Sequence, residues 1–236
     1  MVPEMEIVKR CCAEASTMRN AAETREKLLD TATRLIWQSN YNSVGVNEIC
    51  KQAGVTKGAF YHHFETKADL YVAASRHYWE GMKQDLDEIY SPSYSPLEQL
   101  ENLIQLIIDK QESERFSTDR EVVGCPFFTS GGQSGAGEAK IRMAAREMGA
   151  HVQKYSVALI RGLKAEGVLN GDPDVDQLAR LVHHYVQGLL MYGRVMNSLD
   201  AVRVDLRAGL YRLIDLKDEH RVEGPEVAAA KVVDAA

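Results

Sequence analysis

One short stretch of the chain combines the groups that proteins use to contact nucleic-acid phosphates. Residues 56–63 read TKGAFYHH. At helical spacing, Phe60 and Phe64 form an apolar face that can pack inward. The opposite face carries a cation, a very small residue, a hydroxyl and an imidazole, at Lys57, Gly58, Tyr61 and His62. The spacing therefore predicts a short helix whose outer face can contact phosphates.

The residues before this helix predict how it is held. Val46, Ile49 and Cys50 recur at helical spacing and indicate another short helix. Gly54 can adopt the positive φ that ends a helix, and Thr56 is a candidate N-cap for the next one. Two short helices joined by a glycine-containing turn predict a helix-turn-helix, whose second helix enters the DNA major groove. The alternative interpretation is a three-helix packing unit with a polar outer face.

The sequence AGVTKGAFYHHFETKADL resembles the DNA-binding signature of TetR-type transcriptional regulators. The resemblance is specific over about residues 24–70, and beyond them only the helical layout agrees. Two positions depart from the signature: Gly45 replaces a capping Ser or Thr, and Asn40 replaces a Gly. The matching positions are Leu28, Leu29, Ala32, Tyr41, Val46, Ile49, Ala53, Gly54, Val55, Gly58, Tyr61, His63, Phe64, Lys67 and Leu70.

The motif and the resemblance together give a set of expected DNA contacts. His63 and Lys67, at the end of one helix and the start of the next, are expected to be the weaker phosphate clamps. One recognition helix reads only a few bases, so we expect a homodimer on a palindromic double-stranded DNA operator. The expected DNA-binding residues are Thr56, Lys57, Gly58, Tyr61, His62, His63 and Lys67.

The composition is compatible with this interpretation. The 236-residue chain has a net charge of −6, but residues 20–67 contain six Lys or Arg against five Asp or Glu. The acidity therefore lies outside the motif and does not exclude DNA. The four cysteines form no CxxC pair, so neither a disulfide framework nor a zinc site is expected. The sequence offers no membrane span or signal core, and it predicts a cytoplasmic protein without cofactor or metal.

Helical periodicity and capping signals predict an all-α fold. Thr66 with Asp69, and Ser95 with Glu98, are helix-start signals, and Thr24 is expected to cap the first long helix. Further helices are expected over about 66–90, 97–112, 138–166, 172–198 and 200–216. The loop between the helices over 97–112 and 138–166 is expected to hold a helical turn around Phe127 and Phe128. The predicted divisions are a flexible arm over 1–22, a three-helix helix-turn-helix domain over 23–67, a ligand-binding and dimerisation domain over 68–217, and a mobile tail over 218–236.

The resemblance implies that the second domain binds a small molecule, although the sequence does not identify it. The adjacent His183 and His184 point about 100° apart on a helix, so at most one faces inward. Phe127 and His183 are further candidates, and the alternative for each aromatic residue is a place in the core. The expected ligand contacts are Tyr78, Trp79, Met82, Phe128, Tyr155 and His184.

These inferences predict a ligand-responsive transcriptional repressor, with Gly188, Leu189 and Tyr192 near its two-fold interface. Two alternatives stay open: a transcriptional activator, or a regulator that senses oxidants or electrophiles through Cys125. Cys125 as a nucleophile with His183 or His184 as its base would indicate an enzyme instead. Nothing in the spacing supports that pairing, so no catalytic residue is predicted.

Overall fold

The computed structural model describes the backbone of residues 3–39, 41–115, 122–133, 135 and 138–222. Within these residues the secondary structure is helical, apart from one isolated bridge between Leu169 and Leu216, and this confirms the predicted all-α class. The α-helices of this part are α1 (Pro3–Gln38), α2 (Val46–Ala53), α3 (Lys57–His63), α4 (Lys67–Ile89), α5 (Pro96–Arg115), α6 (Pro126–Gln133), α7 (Ala139–Ala165), α8 (Val175–Met196) and α9 (Leu199–Leu213).

Helix α1 differs from the prediction. It begins at Pro3, so the expected helix start at Thr24 is wrong, whereas the flexible arm over residues 1–22 stays a prediction. The Thr24 hydroxyl does not cap a helix but donates to the Asn20 carbonyl one turn earlier, at 2.7 Å. A threonine can make this bond inside a helix, and proline is tolerated in a first turn, so neither residue interrupts α1.

The first three helices and the start of α4 enclose one apolar core. Gly54 ends α2 with φ 67°, and the Thr56 side chain caps α3 by accepting from the Ala59 N–H at 3.1 Å, as predicted. Gly45 has no side-chain hydroxyl, so it provides no side-chain cap for α2. The buried members of this core are Leu28, Leu29, Ala32, Leu35, Val44, Ile49, Cys50, Phe60, Phe64, Leu70 and Ala74.

Helix α4 joins this core to the rest of the chain. Thr66 and Asp69 form the predicted capping box at its start. Farther along, Trp79 and Leu86 pack in a second apolar cluster with residues of α6 and α7. The Tyr71 hydroxyl, buried between them, donates to the Phe127 carbonyl at 3.3 Å. Because α4 contributes to the cores on both sides, the domain division near residue 67 stays a prediction.

A third cluster, formed by α5, α7, α8 and α9, fills the other half of the molecule. The Ser95–Glu98 start signal is confirmed, because the Ser95 N–H donates to Glu98 at 2.7 Å and the Glu98 N–H donates back to the Ser95 hydroxyl. No helix in the described residues is long and apolar enough to cross a membrane.

Two segments contain more helical structure than expected. The predicted turn at Phe127 is the eight-residue helix α6, in which a Cβ on Gly131 would lie 2.4 Å from the Ala145 side chain of α7. That glycine serves close helix packing instead of a loop. In the predicted tail, residues 218–220 form a 3₁₀ turn, and Arg221 donates to the Leu216 carbonyl. Residues 223–236 of the tail and Asn40 lie outside the described residues.

Candidate DNA-binding surface and ligand cavity

The outer face of α3 presents most of the predicted DNA contacts to solvent. Lys57, Gly58 and His62 are exposed, and Tyr61 keeps 57% of its surface accessible. A Cβ on Gly58 would meet only the Thr56 hydroxyl, at 3.7 Å. Internal packing therefore does not require glycine there, and an approaching DNA backbone would have room. Thr56, which caps the helix, lies at the edge of the same face.

Lys67, a predicted phosphate clamp, also makes contacts inside the chain. Its ammonium group donates to the Tyr41 and Val44 carbonyls at 2.9 and 3.0 Å, and it lies 4.1 Å from the centre of the Tyr41 ring. Burial lowers its pKa. These contacts hold the loop between α1 and α2 against the first residue of α4. Lys67 thus positions the motif, and its contact with a phosphate stays a prediction.

His63 is half-buried at the end of α3. Its pKa is lowered by burial first, and then by the neighbouring His62 and Arg25. A neutral imidazole at pH 7 can donate a hydrogen bond to a phosphate but adds no charge. Arg25 of α1, which sequence reasoning missed, lies over the Phe64 ring at 5.6 Å and brings a cation to this end of α3. Its position on an exposed face of α1 was the available signal.

A cavity of about 150 Å³ lies between α4, α5, α7 and α8, beside the segment that leads into α6. Three of the expected ligand contacts line it, Tyr78, Met82 and Phe128, together with the further candidate His183 and the possible sensor Cys125. Most of the remaining wall is apolar, with contributions from Leu86, Leu106, Met148, Val152, Val186 and Leu190. A dry apolar cavity of this size can hold a molecule as large as benzene.

The other predicted ligand contacts do not line this cavity. Trp79 packs on His151 with ring centres 4.7 Å apart, and the Tyr155 hydroxyl donates to the Asp87 carboxylate. His184 is exposed, whereas its neighbour His183 lines the cavity. The reason is rotational phase: one residue along a helix turns the side chain by about 100°. Phe127 is fully buried behind the wall, against Tyr78.

The polar groups of the cavity wall are mostly donors. Gln111 accepts from the Gly124 N–H at 2.9 Å through Oε1, which leaves its amide nitrogen as a donor. Burial, and then His184, lower the pKa of His183, so its ring is neutral at pH 7. Burial raises the pKa of Cys125, which therefore remains a thiol. No carboxylate is found among the described residues that line the cavity.

Arg194 near the end of α8 connects this wall to the DNA-binding half. Its guanidinium donates to the Val123 carbonyl at 2.6 Å, and to the carbonyls of Ser39 and Trp37 at 3.0 and 3.4 Å. Val123 adjoins Gly124, which is part of the cavity wall, whereas Trp37 and Ser39 lie at the C-terminal end of α1. One side chain thus links the cavity to the helix that supports the recognition helix.

An exposed stripe runs along α8. Tyr192 and Val195 keep 57% and 72% of their surface accessible, and a Cβ on Gly188 would meet no atom within 4 Å. The stripe, at successive spacings of three or four residues, consists of Leu181, His184, Gly188, Tyr192 and Val195. Its apolar members at helical spacing give α8 a face that a second helix can cover.

A capped recognition helix, presented by a compact helical core and followed by a cavity-bearing helical bundle, defines a helix-turn-helix DNA-binding regulator. Residues 28–74 match the model of the bacterial regulatory proteins of the tetR family, and residues 96–208 match the tetracyclin repressor-like C-terminal domain. The chain belongs to the TetR family of transcriptional regulators. It is therefore a regulator of transcription and not an enzyme.

Relatives and solved structures agree with this assignment. The chain is 30% identical to the transcriptional regulator AcuR of Cereibacter sphaeroides, over 68% of this chain and 71% of that protein. It is 25% identical to YxaF, an uncharacterised HTH-type regulator of Bacillus subtilis, over 74% and 86% of the two chains. A TetR regulatory protein from Rhodobacter sphaeroides superposes with a TM-score of 0.70 and 26% identity, covering 84% of this chain and 98% of that one.

Proposed function

We propose that the chain is a ligand-released transcriptional repressor that acts in the cytoplasm as a homodimer on a palindromic operator. The observation that carries this proposal is the link through Arg194 between the cavity wall and the end of α1. A regulator needs its sensing site and its DNA-reading helix to share a structural element, and this contact supplies one.

DNA binding is assigned to Thr56, Lys57, Gly58, Tyr61, His62, His63 and Lys67. The exposed hydroxyl, amine and imidazole groups can reach phosphates and base edges, while Phe60 and Phe64 fix the helix from behind. Arg25 adds a further cation at the edge of this surface. The exposed stripe on α8 supports dimerisation, because a second copy would cover its apolar residues and pair two recognition helices.

Release requires a ligand whose affinity differs between two conformations of the chain. A ligand that fills the cavity would press on α4, α5 and α8, and α8 carries Arg194. A change in that contact alters the placement of α1 and hence of α3. A differential affinity of about 3 kcal/mol would weaken operator binding roughly a hundredfold.

Repression, as the sign of regulation, is supported by one relative. The NemR repressor of Escherichia coli is 37% identical over 67 residues, which is 28% of this chain. Activation is the alternative. Deletion of the gene, followed by transcript measurement of the neighbouring genes, decides between them: repression requires those transcripts to rise, and a fall would indicate activation.

The environment of Cys125 does not favour thiol sensing as a second function. Sensor cysteines react as thiolates, and burial raises the pKa of this thiol.

A mobility-shift experiment tests the main proposal directly. The full chain is titrated onto DNA from upstream of its own gene and onto a scrambled control, and we expect a shift with the upstream DNA alone.

A further inference from the structure

We propose that the effector is an amphiphile with an anionic head group, and that this head group binds in a groove between α1, α4 and α5 while the apolar body occupies the cavity. The inference rests on the proposed ligand response and specifies its chemistry. It places one ligand against both halves of the protein at once.

The groove is a second, more open space of about 370 Å³. Helix α1 contributes Asp30, Thr33, Arg34 and Trp37, and α4 contributes His77, Tyr78, Gly81 and Met82. Lys110 of α5 closes the end. A Cβ on Gly81 would meet no atom within 4 Å, so the absence of a side chain there keeps the floor of the groove open.

The groove and the cavity share part of their walls. Tyr78, Met82 and Lys110 line both spaces. Methionine is unbranched and has three rotatable bonds, so Met82 can move aside at little cost. An elongated molecule can therefore reach from the groove past Met82 into the apolar cavity.

The charges of the groove favour an anion. Arg34 is half-buried, and no carboxylate of the described residues forms an ion pair with it. The carboxylate that lines the groove, Asp30, lies 3.3 Å from the His77 ring. Lys110 has a partner in Asp85 at 2.8 Å, from outside the lining. Arg34 thus offers a planar set of donors that matches a carboxylate in two parallel hydrogen bonds.

The charges of both spaces disfavour the opposite kind of ligand. An ammonium head group in the groove would meet Arg34 and Lys110 against one lining carboxylate, Asp30, which already contacts His77. In the cavity it would find no carboxylate on the described part of the wall, and burying an unpaired cation is costly. A neutral apolar molecule fills the cavity but leaves Arg34 unused. Charge and shape together therefore select an anionic head group on an apolar body.

This placement has a direct regulatory consequence. Arg34 belongs to α1, which packs against α2 and α3, whereas the cavity is built from the helices of the other half. A ligand held at both ends would fix the distance between α1 and α5. The head group would then act on the DNA-binding half without any intermediate element.

Isothermal titration calorimetry on the full chain tests the inference with octanoate, 1-octanol and octylammonium, which share an alkyl chain and differ in head-group charge. We expect octanoate to bind at least about tenfold more tightly than octanol, and octylammonium to bind most weakly. Arg34→Gln should weaken octanoate about tenfold and leave octanol unchanged. Lys83→Gln is the matched control, because Lys83 is an exposed α4 cation that lines neither space, and it should change neither affinity.

Equal affinities of octanoate and octanol, an equal loss of both in Arg34→Gln, or no binding of octanoate at millimolar concentration would overturn the inference. The comparison of the three compounds uses the unmodified protein, so it decides the matter even if Arg34→Gln fails to fold. Tight octanoate binding that leaves the operator complex intact would support the head-group assignment and reject ligand release. The two proposals therefore fail separately.

Discussion

The two halves of the molecule use their apolar residues in opposite ways. Around the helix-turn-helix, Leu28, Ala32 and Phe60 are fully buried, and a space between Ala32, Ile49 and Leu70 has a volume of only about 10 Å³. The other half leaves about 150 Å³ unfilled between α4, α5, α7 and α8. A DNA-reading surface must keep its shape, so its support is packed solid. In the proposed function, the unfilled space of the other half has a use, because a ligand can supply the missing contacts.

The sharpest test of this contrast compares two phenylalanines. Phe60→Ala should destabilise the helix-turn-helix by about 3–5 kcal/mol, because the side chain has no exposed surface. Phe128→Ala, at a residue that lines the cavity and is 46% exposed, should cost about 1 kcal/mol or less. Urea unfolding followed by circular dichroism measures both. Similar costs would show that the two halves do not differ in packing.

A bulky residue in the exposed stripe of α8 should break the assembly without unfolding the chain. Gly188→Trp places an indole where the chain itself leaves open space, so the monomer should fold while a partner helix is kept away. Sedimentation velocity should show a monomer, and operator affinity should fall by more than about tenfold because one recognition helix is lost. A dimer that binds operator normally would remove this face from the interface.

Substitutions on the outer face of α3 should change DNA binding and leave the fold of this half intact. Lys57→Ala removes one phosphate contact per protomer, so the slope of log affinity against log salt should fall by about two units per dimer. Tyr61→Phe should weaken binding by about 1 kcal/mol through the lost hydroxyl. Lys83→Gln serves as a control far from α3. If both substitutions at α3 leave affinity and salt slope unchanged, the recognition helix is misassigned.

A substitution between the halves tests whether they communicate. Arg194→Gln removes the charged donors to Val123, Trp37 and Ser39. It should therefore lower the coupling free energy between ligand binding and operator binding by about 1–3 kcal/mol. Ligand affinity measured by calorimetry should change little, since Arg194 does not line the cavity. Arg194→Lys keeps the charge and should retain part of the response. Full release in Arg194→Gln would exclude this route.

The smallest expected effect is at the cavity thiol. Burial raises the pKa of Cys125 and keeps it protonated at neutral pH, so Cys125→Ser should leave the response to peroxide and to ligand unchanged. Because the pKa of Cys125 is higher in the folded chain than in the unfolded one, the free energy of unfolding should be greater at neutral pH and should fall as the pH rises through the thiol pKa. The serine variant should not show this fall. Loss of a peroxide response in the variant would restore thiol sensing.

Local signals in the sequence predicted much of the fold. The Thr66–Asp69 and Ser95–Glu98 starts, the positive φ of Gly54 and the Thr56 cap each depend on residues within four positions, and all were predicted correctly. Contacts between residues far apart in the chain were not predicted. Lys67 binds carbonyls 23 and 26 residues away, and Gly131 lies in a helix because α7 packs against it.

The candidate site was predicted in part for the same reason. Tyr78 and Met82, four positions apart, were expected near a ligand and line the cavity, whereas Trp79 turns toward His151. The choice between His183 and His184 depends on helix rotation to within one residue, which periodicity cannot fix. Arg34 and Arg194 had no local signal, because their roles come from helices that meet only in the folded chain.

The contact of Lys67 with the Tyr41 and Val44 carbonyls gives α4 a pivot. At 1.5 Å per residue, Met82 lies about 22 Å along the helix from that point. A sideways displacement of about 2 Å at Met82 therefore rotates the whole rod by about 5°. Because this contact lies beside the loop that precedes α2, such a rotation would carry the proposed push of a ligand at the cavity to the DNA end. The leverage is set by where along α4 a ligand pushes.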